Sequence, residues 1–289
     1  MKRQETSEKR RSQFSIVLSR LTRNKGAMIG LVFIILILIV VLFGEYMTPY
    51  DYFHQDYMAM FEFPGREHLL GTDSLGRDIL SRLLYGAKFS FIVSVGSVIF
   101  SALIGGVLGA VAGYYGGKVD TLVMRFLDVY QSIPGLVLCM ALSVVFGSGV
   151  FTTMLALGIT GIGGYARILR AQVLQVKGNE YIEAAKAAKA GDWEIILKHI
   201  IPNSISPVIV SMTMGVGSGI IAIASLGFVG LGIPTHLPEW GAMLSEGRSY
   251  MGTYPYMVLA PGCCIIITVL AFNLFGDGLR DALDPRLKD

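Results

Sequence analysis

The sequence predicts an all-α membrane protein with six transmembrane helices. Of its 289 residues, 53% are hydrophobic and 16% are charged, whereas soluble domains have about 45–50% apolar and about 25% charged residues. Five stretches contain no charged side chain, at 26–44, 89–117, 129–166, 199–238 and 249–276. Each is long enough for a membrane-spanning helix, which needs roughly 20 residues to cross about 30 Å of hydrocarbon. A soluble fold with helices this long and this apolar would be unusual.

The charge-free stretches define the predicted spans. The stretch 129–166 is long enough for two crossings, and Phe146-Gly147-Ser148-Gly149 provides the break between them. The first span follows 25 polar, basic residues and lacks a small-residue cleavage site, so we expect it to stay in the membrane and not to be removed as a signal peptide. The predicted spans are 26–46, 89–113, 121–146, 151–169, 205–231 and 255–276.

The distribution of lysine and arginine predicts that both termini are cytoplasmic. In that orientation the inner segments contain 19 of these residues and the outer segments contain 5, as the positive-inside rule requires. The chain then has a second outer loop at 232–254 and no attached soluble domain. Its predicted parts are a basic N-terminal segment (1–25), the first transmembrane helix (26–46), an outer loop with an amphipathic helix (47–88), a five-helix core (89–276) containing the inner loop 170–204, and a C-terminal tail (277–289).

The outer loop ends in a predicted amphipathic helix at 74–86. Its apolar face contains Ile79, Leu80, Leu83 and Leu84, and Asp78 and Arg82 form an i,i+4 pair that we expect on the solvent side. This helix either braces the second span or contacts the transported solute directly.

The second span carries a stripe of glycines at Gly105, Gly109, Gly113 and Gly117. Small residues spaced four apart allow two membrane helices to pack closely. The stripe therefore predicts helix packing within the subunit, with pore lining as the alternative.

Two ionisable residues lie near the inner end of the third span, before Pro134. Arg125 and Asp128 are one helical turn apart, and ionisable groups in a membrane helix must pair or face water. We interpret them as a structural pair, with a proton relay as the alternative.

The inner loop predicts a folded helical hairpin. Alanine-rich residues 181–188 favour a helix that Gly191 ends as a left-handed cap. Asp192 is then the expected N-cap of a second short helix that stops before Pro202. Such a surface suits docking to a soluble protein; the alternative is a helix that lies on the lipid headgroups.

The sequence lacks the residues that several other functions require. The nearest approach to a phosphate-binding loop, Ala112 to Val119, lacks the first glycine and the hydroxyl residue. The histidines lie in loops without a second ligand at metal spacing, and the three cysteines lie in apolar runs, so we predict no metal site or disulfide. A net charge of +3 does not suggest nucleic acid.

The inner loop contains Glu183-Ala184-Ala185, followed by Pro202 seventeen residues after Ala185. This pattern resembles the cytoplasmic signature of binding-protein-dependent ABC importer permeases. That family usually has glycine where this chain has Lys189, and we expect Gly191 to make the turn instead. Three further segments resemble the second of the two paired permeases of the dipeptide, oligopeptide and nickel branch: 70–82, 226–234 followed by 240–244, and 272–286.

The resemblance implies the architecture of a type I ABC importer permease. It implies half of a translocation pathway for di- or oligopeptides or related small solutes, with nickel complexes or other solutes of the same family as the alternative. The residues implied in coupling to the ATPase are Glu183, Ala184, Ala185, Lys186, Lys189, Gly191, Asp192 and Trp193. The implied outer-loop motif consists of Gly71, Thr72, Asp73, Gly76, Arg77, Asp78 and Arg82.

The resemblance also implies partners. They are a homologous permease that completes a heterodimer, two ATP-binding cassette subunits that bind ATP and magnesium, and an extracytoplasmic substrate-binding protein. This chain itself is expected to bind no cofactor, to be no enzyme and to lie in a prokaryotic plasma (inner) membrane. A secondary transporter driven by an ion gradient and an integral-membrane enzyme are the competing interpretations; intramembrane charges are too scarce to favour either.

Overall fold

The computed structural model describes residues 13–234 and 236–284. Their regular structure is helical, and the only β-type pairing among them is the isolated bridge between Thr72 and Asp78. The helices are α1 (Gln13–Arg23), α2 (Lys25–Met47), a 3₁₀ turn (Tyr57–Ala59), α3 (Ile79–Tyr115), α4 (Gly117–Gln131), α5 (Gly135–Phe146), α6 (Val150–Val176), α7 (Glu180–Ala187), α8 (Asp192–Ile195), a π-helical segment (Ile196–Ile200), α9 (Ile201–Ser204), α10 (Ser206–Val229), α11 (Trp240–Arg248) and α12 (Tyr256–Leu283).

Within the described ranges, four helices are long and apolar enough to cross a membrane. They are α2, α3, α10 and α12, and the α4–α5 pair makes a fifth span if it is counted as one. The remaining predicted span corresponds to α6, which is long enough at 27 residues but is not among the helices that are apolar enough to cross a membrane. The count of six crossings therefore stays a prediction.

The predicted amphipathic helix at 74–86 is not a separate element. Residues from Ile79 onward are the first turns of α3, which continues without interruption for 37 residues. At 1.5 Å per residue this helix is about 55 Å long, more than the thickness of the hydrocarbon layer. The side chain of Asp78 caps its start by accepting a hydrogen bond from the Ser81 amide (2.7 Å).

The third predicted span, 121–146, is also wrong as a single helix. It consists of α4 and α5, which meet at an angle of 81° across Ser132–Pro134. Proline has no amide hydrogen and disfavours a helical conformation at the residue before it, which explains the break.

Helices α3 and α6 pack closely because glycines line their contact. A β-carbon at Gly105 would overlap the carbonyl oxygen of Ile162, and one at Gly109 would overlap that of Ala166. The Gly113 position faces Val173. Gly117 lies outside this contact, with no atom within 4 Å of its β-carbon position.

The C-terminal part closes the bundle. Helix α11 lies in the second outer loop, and α12 extends to Leu283, so the helix enters the segment that was predicted as the tail from 277 onward. Helix α12 packs against α2, where a β-carbon at Gly30 would overlap the carbonyl oxygen of Ala271. The predictions for residues 1–12 and 285–289 lie outside the described residues.

Candidate functional site

The inner loop is a helical hairpin fixed to the bundle by buried isoleucines. Helix α7 forms its first arm, and α8, the π-helical segment and α9 form the second. Ile182 of the first arm and Ile195, Ile196 and Ile200 of the second are at most 1% exposed and share one hydrophobic cluster with Tyr114 at the end of α3. Since fully burying an isoleucine contributes roughly 1.5–3 kcal/mol, these four side chains hold the loop in a defined position.

The turn between the two arms is made by Lys189 and not by Gly191. Lys189 has φ = +59°, whereas Gly191 has φ = −66°. The amide of Ala190 donates to the carbonyl of Ala185 (3.1 Å), and the amide of Lys189 donates to the carbonyl of Lys186 (2.9 Å). These two bonds form a Schellman motif with a lysine at the left-handed position. The predicted role of Gly191 as the helix cap is therefore wrong.

The second arm differs from the prediction at both ends. Gly191 is the N-cap, and Asp192 lies in the first turn of α8. The arm does not stop before Pro202: the π-helical segment continues directly into α9, and Pro202 is the second residue of α9. Asp192 accepts a hydrogen bond of 2.7 Å from the hydroxyl of Tyr114.

The face of the hairpin that points away from the bundle is exposed and mixed in character. It presents Trp193 (58% exposed) and Leu197 (60% exposed) next to the exposed ion pair between Lys198 and Glu194 (2.7 Å). The amine of Lys186 lies 5.6 Å from the centre of the Tyr114 ring, within range of a cation–π contact. The other exposed residues of the predicted coupling set are Glu183, Ala184, Lys189, Gly191 and Asp192, while Ala185 is partly buried.

The outer-loop motif folds into a tight corner before α3. Gly71 and Gly76 have φ of +77° and +71°, a conformation that glycine adopts at little cost. Thr72 is fully buried; its hydroxyl accepts from the Glu62 amide (2.8 Å) and donates to the carbonyl of Ala59. Asp73 accepts from the amides of Leu75 and Arg77 at 2.9 and 3.0 Å.

Two buried arginines extend from this corner to α11. Arg77 donates to Asp73 (2.6 Å) and to Glu246 (2.8 Å), and Arg82 donates to Glu246 (3.2 Å). Arg77 and Arg82 are 4% and 1% exposed. Burial raises the pKa of the Glu246 carboxyl, while Arg82 and Arg77 oppose that shift. We call Asp73, Arg77, Arg82 and Glu246 the outer charge network.

The predicted solvent-exposed pair of Asp78 and Arg82 does not form. Asp78 is 2% exposed, and its carboxylate is used by the Ser81 backbone and hydroxyl and by Nδ1 of His68 (2.9 Å). The pair was predicted from i,i+4 spacing inside a helix, but Asp78 is the N-cap and not a helical residue. His68, one of the histidines that the sequence places in a loop, is also buried.

Glu239, immediately before α11, is another buried acid that was not identified from the sequence. Its carboxylate oxygens accept from the amides of Gly241 and Ala242, both at 2.8 Å, and cap α11. Burial raises the pKa of the Glu239 carboxyl. The only sequence signal was its position before the small residues Gly241 and Ala242, since acidic residues favour helix starts.

The predicted pair of Arg125 and Asp128 is replaced by two ion pairs between α4 and α6. Asp128 pairs with Arg167 (2.8 Å) and Asp120 pairs with Arg170 (2.5 Å). Arg125 is exposed and makes no ion pair among the described residues. Pro134 is the N-cap of α5 at the break. Neither arginine partner was singled out from the sequence, because the contact joins residues far apart in the chain.

The described residues offer no cluster of three or more histidine, cysteine, aspartate or glutamate side chains that would hold a metal ion. Cys139, Cys263 and Cys264 are free thiols.

Comparison with known proteins places this architecture in a family. Residues 105–289 match the family described as the binding-protein-dependent transport system inner membrane component. Residues 12–64 match the N-terminal transmembrane domain of oligopeptide transport permease C.

Similar proteins and structures agree with this match. The chain is 44% identical over 272 residues to the glutathione transport system permease protein of Pectobacterium atrosepticum, covering 93% of this chain and 90% of the relative. It is 40% identical to the dipeptide transport system permease protein of Haemophilus influenzae, covering 92% of each chain. The fold resembles the inward-facing MetNI methionine ABC transporter, with a TM-score of 0.58, 19% identity and coverage of 70% of this chain and 97% of that one. The chain therefore belongs to the family of binding-protein-dependent inner membrane transport components, and it is a permease of an ABC importer.

Proposed function

We propose that this permease forms half of an ATP-driven translocation pathway for di- or tripeptide-sized solutes and is driven through the inner hairpin α7–α9. A second, homologous permease completes the pathway, and two ATP-binding cassette subunits bind ATP and magnesium. A soluble binding protein delivers the solute at the outer face.

The observation that carries the proposal is the construction of the hairpin. Four buried isoleucines fix it to the bundle, while Trp193, Leu197 and several charged residues remain exposed at its surface. Tryptophan is enriched among residues that dominate binding energy at protein interfaces. A firmly anchored element with such a surface is able to transmit the movement of a docked ATPase to α3 and α6.

The distribution of charge supports the proposed orientation. With the hairpin in the cytosol, 19 of the 24 lysines and arginines lie on the inner side. The outer charge network and the tight corner before α3 then face the binding protein. Both termini lie in the cytosol in this arrangement.

The relatives support the class of solute. One similar permease is named for glutathione transport and another for dipeptide transport. Both names describe small peptides with free charged ends. A substrate-stimulated ATPase assay on the whole complex with its binding protein, comparing dipeptides, glutathione and a nickel complex, tests this assignment; stimulation by the nickel complex alone would contradict it.

Replacement of Glu183 tests the role of the hairpin. Glu183 is exposed on α7, so we expect Glu183→Arg to leave membrane insertion intact while it weakens binding of the ATPase and abolishes uptake. The matched control is Glu67→Arg, which makes the same charge change at an exposed position of the outer loop. Full uptake and normal co-purification of the ATPase with Glu183→Arg would contradict the proposal.

A further inference from the structure

An open cavity of about 300 Å³ lies at the break between α4 and α5. The two ends of the broken helix and the middle of α6 form its walls. Ligand pockets in proteins have volumes of about 300–1,000 Å³, so this cavity suits a small solute. Its polar lining residues are Asp128, Tyr130, Gln131, Ser132, Thr160 and Arg167.

The cavity contains an ion pair that is only half covered. Asp128 and Arg167 are 2.8 Å apart, and their side chains are 49% and 47% exposed. Asp128 lies near the inner end of the third predicted span, and Arg167 lies near the inner end of the fourth. Charged groups in membrane helices do not face lipid; they face protein or a water-filled passage. The cavity therefore opens toward the passage or toward another subunit.

Gln131 contributes a hydrogen-bond acceptor without a donor. Its Oε1 atom is buried and has no hydrogen-bond partner among the described residues. The amide rests against Gly163, where a β-carbon would overlap it. A buried acceptor left without a donor costs roughly 1–3 kcal/mol, and a solute with an N–H group in the cavity would remove that cost once the amide turns toward it.

We infer that this cavity is a solute-binding site in the translocation pathway, in which Arg167 binds the carboxylate of a small zwitterionic peptide while Asp128 binds its ammonium group. This inference rests on the proposed function and specifies where the solute is held. The two side chains exchange their mutual ion pair for one ion pair each with the solute, so no charge is left unpaired. Broken membrane helices commonly form binding sites in transporters, because the break frees polar groups for contact with the solute.

The chain contains a matched control for the ion pair. Arg170 and Asp120 join the same two helices, and neither residue lines the cavity. Removal of Arg170 disturbs the contact between α4 and α6 without touching the proposed site.

The test measures equilibrium binding of three radiolabelled probes to the whole complex in lipid nanodiscs without binding protein. The probes are dialanine, dialanine amide and N-acetyl-dialanine. A hydrogen bond to a charged group contributes roughly 1.5–3 kcal/mol, so we expect the wild type to bind dialanine at least about tenfold more tightly than either modified probe. Arg167→Gln should lose only the preference for dialanine over dialanine amide. Asp128→Asn should lose only the preference for dialanine over N-acetyl-dialanine. Arg170→Gln should keep both preferences.

A purely structural ion pair would behave differently. In that case Arg167→Gln and Asp128→Asn would keep both preferences or lose both together, and this result overturns the inference. Absence of saturable dialanine binding to the wild type overturns it as well. ATP-driven dialanine uptake by the same complex in sealed proteoliposomes with its binding protein separates the two levels. Uptake without these binding preferences refutes only the site, whereas failure to take up any peptide refutes the proposed solute class.

Discussion

The hydroxyl of Tyr114, at the inner end of α3, donates a hydrogen bond of 2.7 Å to the carboxylate of Asp192, at the start of α8. This bond joins the second arm of the hairpin to a helix that crosses the membrane. Because hydrogen bonds to charged groups contribute roughly 1.5–3 kcal/mol, we expect Tyr114→Phe to loosen α8 and to lower uptake per ATP hydrolysed. Hydrogen exchange of residues 191–200 and the ratio of transport to ATPase activity measure both effects. Tyr181→Phe, which removes an exposed hydroxyl from the same hairpin, should change neither; equal effects of the two variants would contradict the prediction.

The left-handed conformation of Lys189 predicts that glycine at this position would make the turn more stable. A residue other than glycine in this region costs roughly 1–2 kcal/mol, so Lys189→Gly should slow hydrogen exchange at the end of α7. Gly191→Ala should have little effect, because Gly191 has φ = −66° and no atom within 4 Å of its β-carbon position. Loss of transport in Lys189→Gly despite a more stable turn would show that the amine has a contact of its own on a partner.

The close approach of α3 and α6 predicts that one added methyl group at their contact lowers the stability of the permease. Gly109→Ala should force the helices apart, because its β-carbon would overlap the backbone of Ala166. Overpacking of this kind costs about 1–3 kcal/mol, which thermal unfolding of the purified permease in detergent measures. Gly164→Ala is the control, since Gly164 lies on α6 with open space at its β-carbon position. A smaller loss for Gly109→Ala than for the control would argue against the packing role of the stripe.

The outer charge network predicts that removing the Glu246 carboxylate destabilises the protein more than removing an exposed carboxylate does. Glu246→Ala leaves Arg77 and Arg82 buried with fewer partners. Breaking a buried ion pair from one side costs about 3–5 kcal/mol of stability. Since a quarter of the Glu246 side chain is exposed, we expect a loss at the lower end of this range. Glu45→Ala removes the exposed pair with Lys88 (3.3 Å), and exposed pairs contribute about 0–1 kcal/mol. Thermal unfolding of both variants gives the comparison, and similar losses would refute the distinction.

The buried carboxyl of Glu239 predicts a dependence of stability on pH. Burial raises its pKa in the folded state, so its contribution to stability is complete at low pH and is lost as the pH rises from the ordinary glutamate pKa of about 4.3 through the raised value. The stability of the wild type relative to Glu239→Gln should therefore fall as the pH increases. Glu194→Gln is the control. The hydrogen bond to Lys198 lowers the pKa of Glu194, so the stability of the wild type relative to this variant should change with pH in the opposite direction. A pH-independent difference for Glu239→Gln would show that the carboxyl does not titrate in the measured range.

The sequence predicted the long apolar helices well, because lipid imposes a strong and local constraint on composition. The predicted span 26–46 corresponds to α2, and 255–276 corresponds to α12 from its N-cap Pro255 onward. The hairpin was also predictable, since its alanine-rich first arm is set by local helix propensity.

Contacts between distant residues were not predictable. Asp128 was assigned to Arg125, one turn away, but its partner is Arg167, 39 positions later. Asp78 was assigned to the solvent, but it caps a helix and binds His68. Spacing along the chain shows which side chains share one helix face; it does not show which other helix approaches that face.

The length of α3 has a mechanical consequence. The helix contains Arg82 in the outer charge network near one end and Tyr114 beside the hairpin near the other, about 48 Å apart along the axis. A rigid rod that pivots near its middle moves its two tips in opposite directions. Under the proposed function, a push from a docked ATPase at Tyr114 would therefore move the Arg82 end of α3 in the opposite direction and couple the two membrane surfaces.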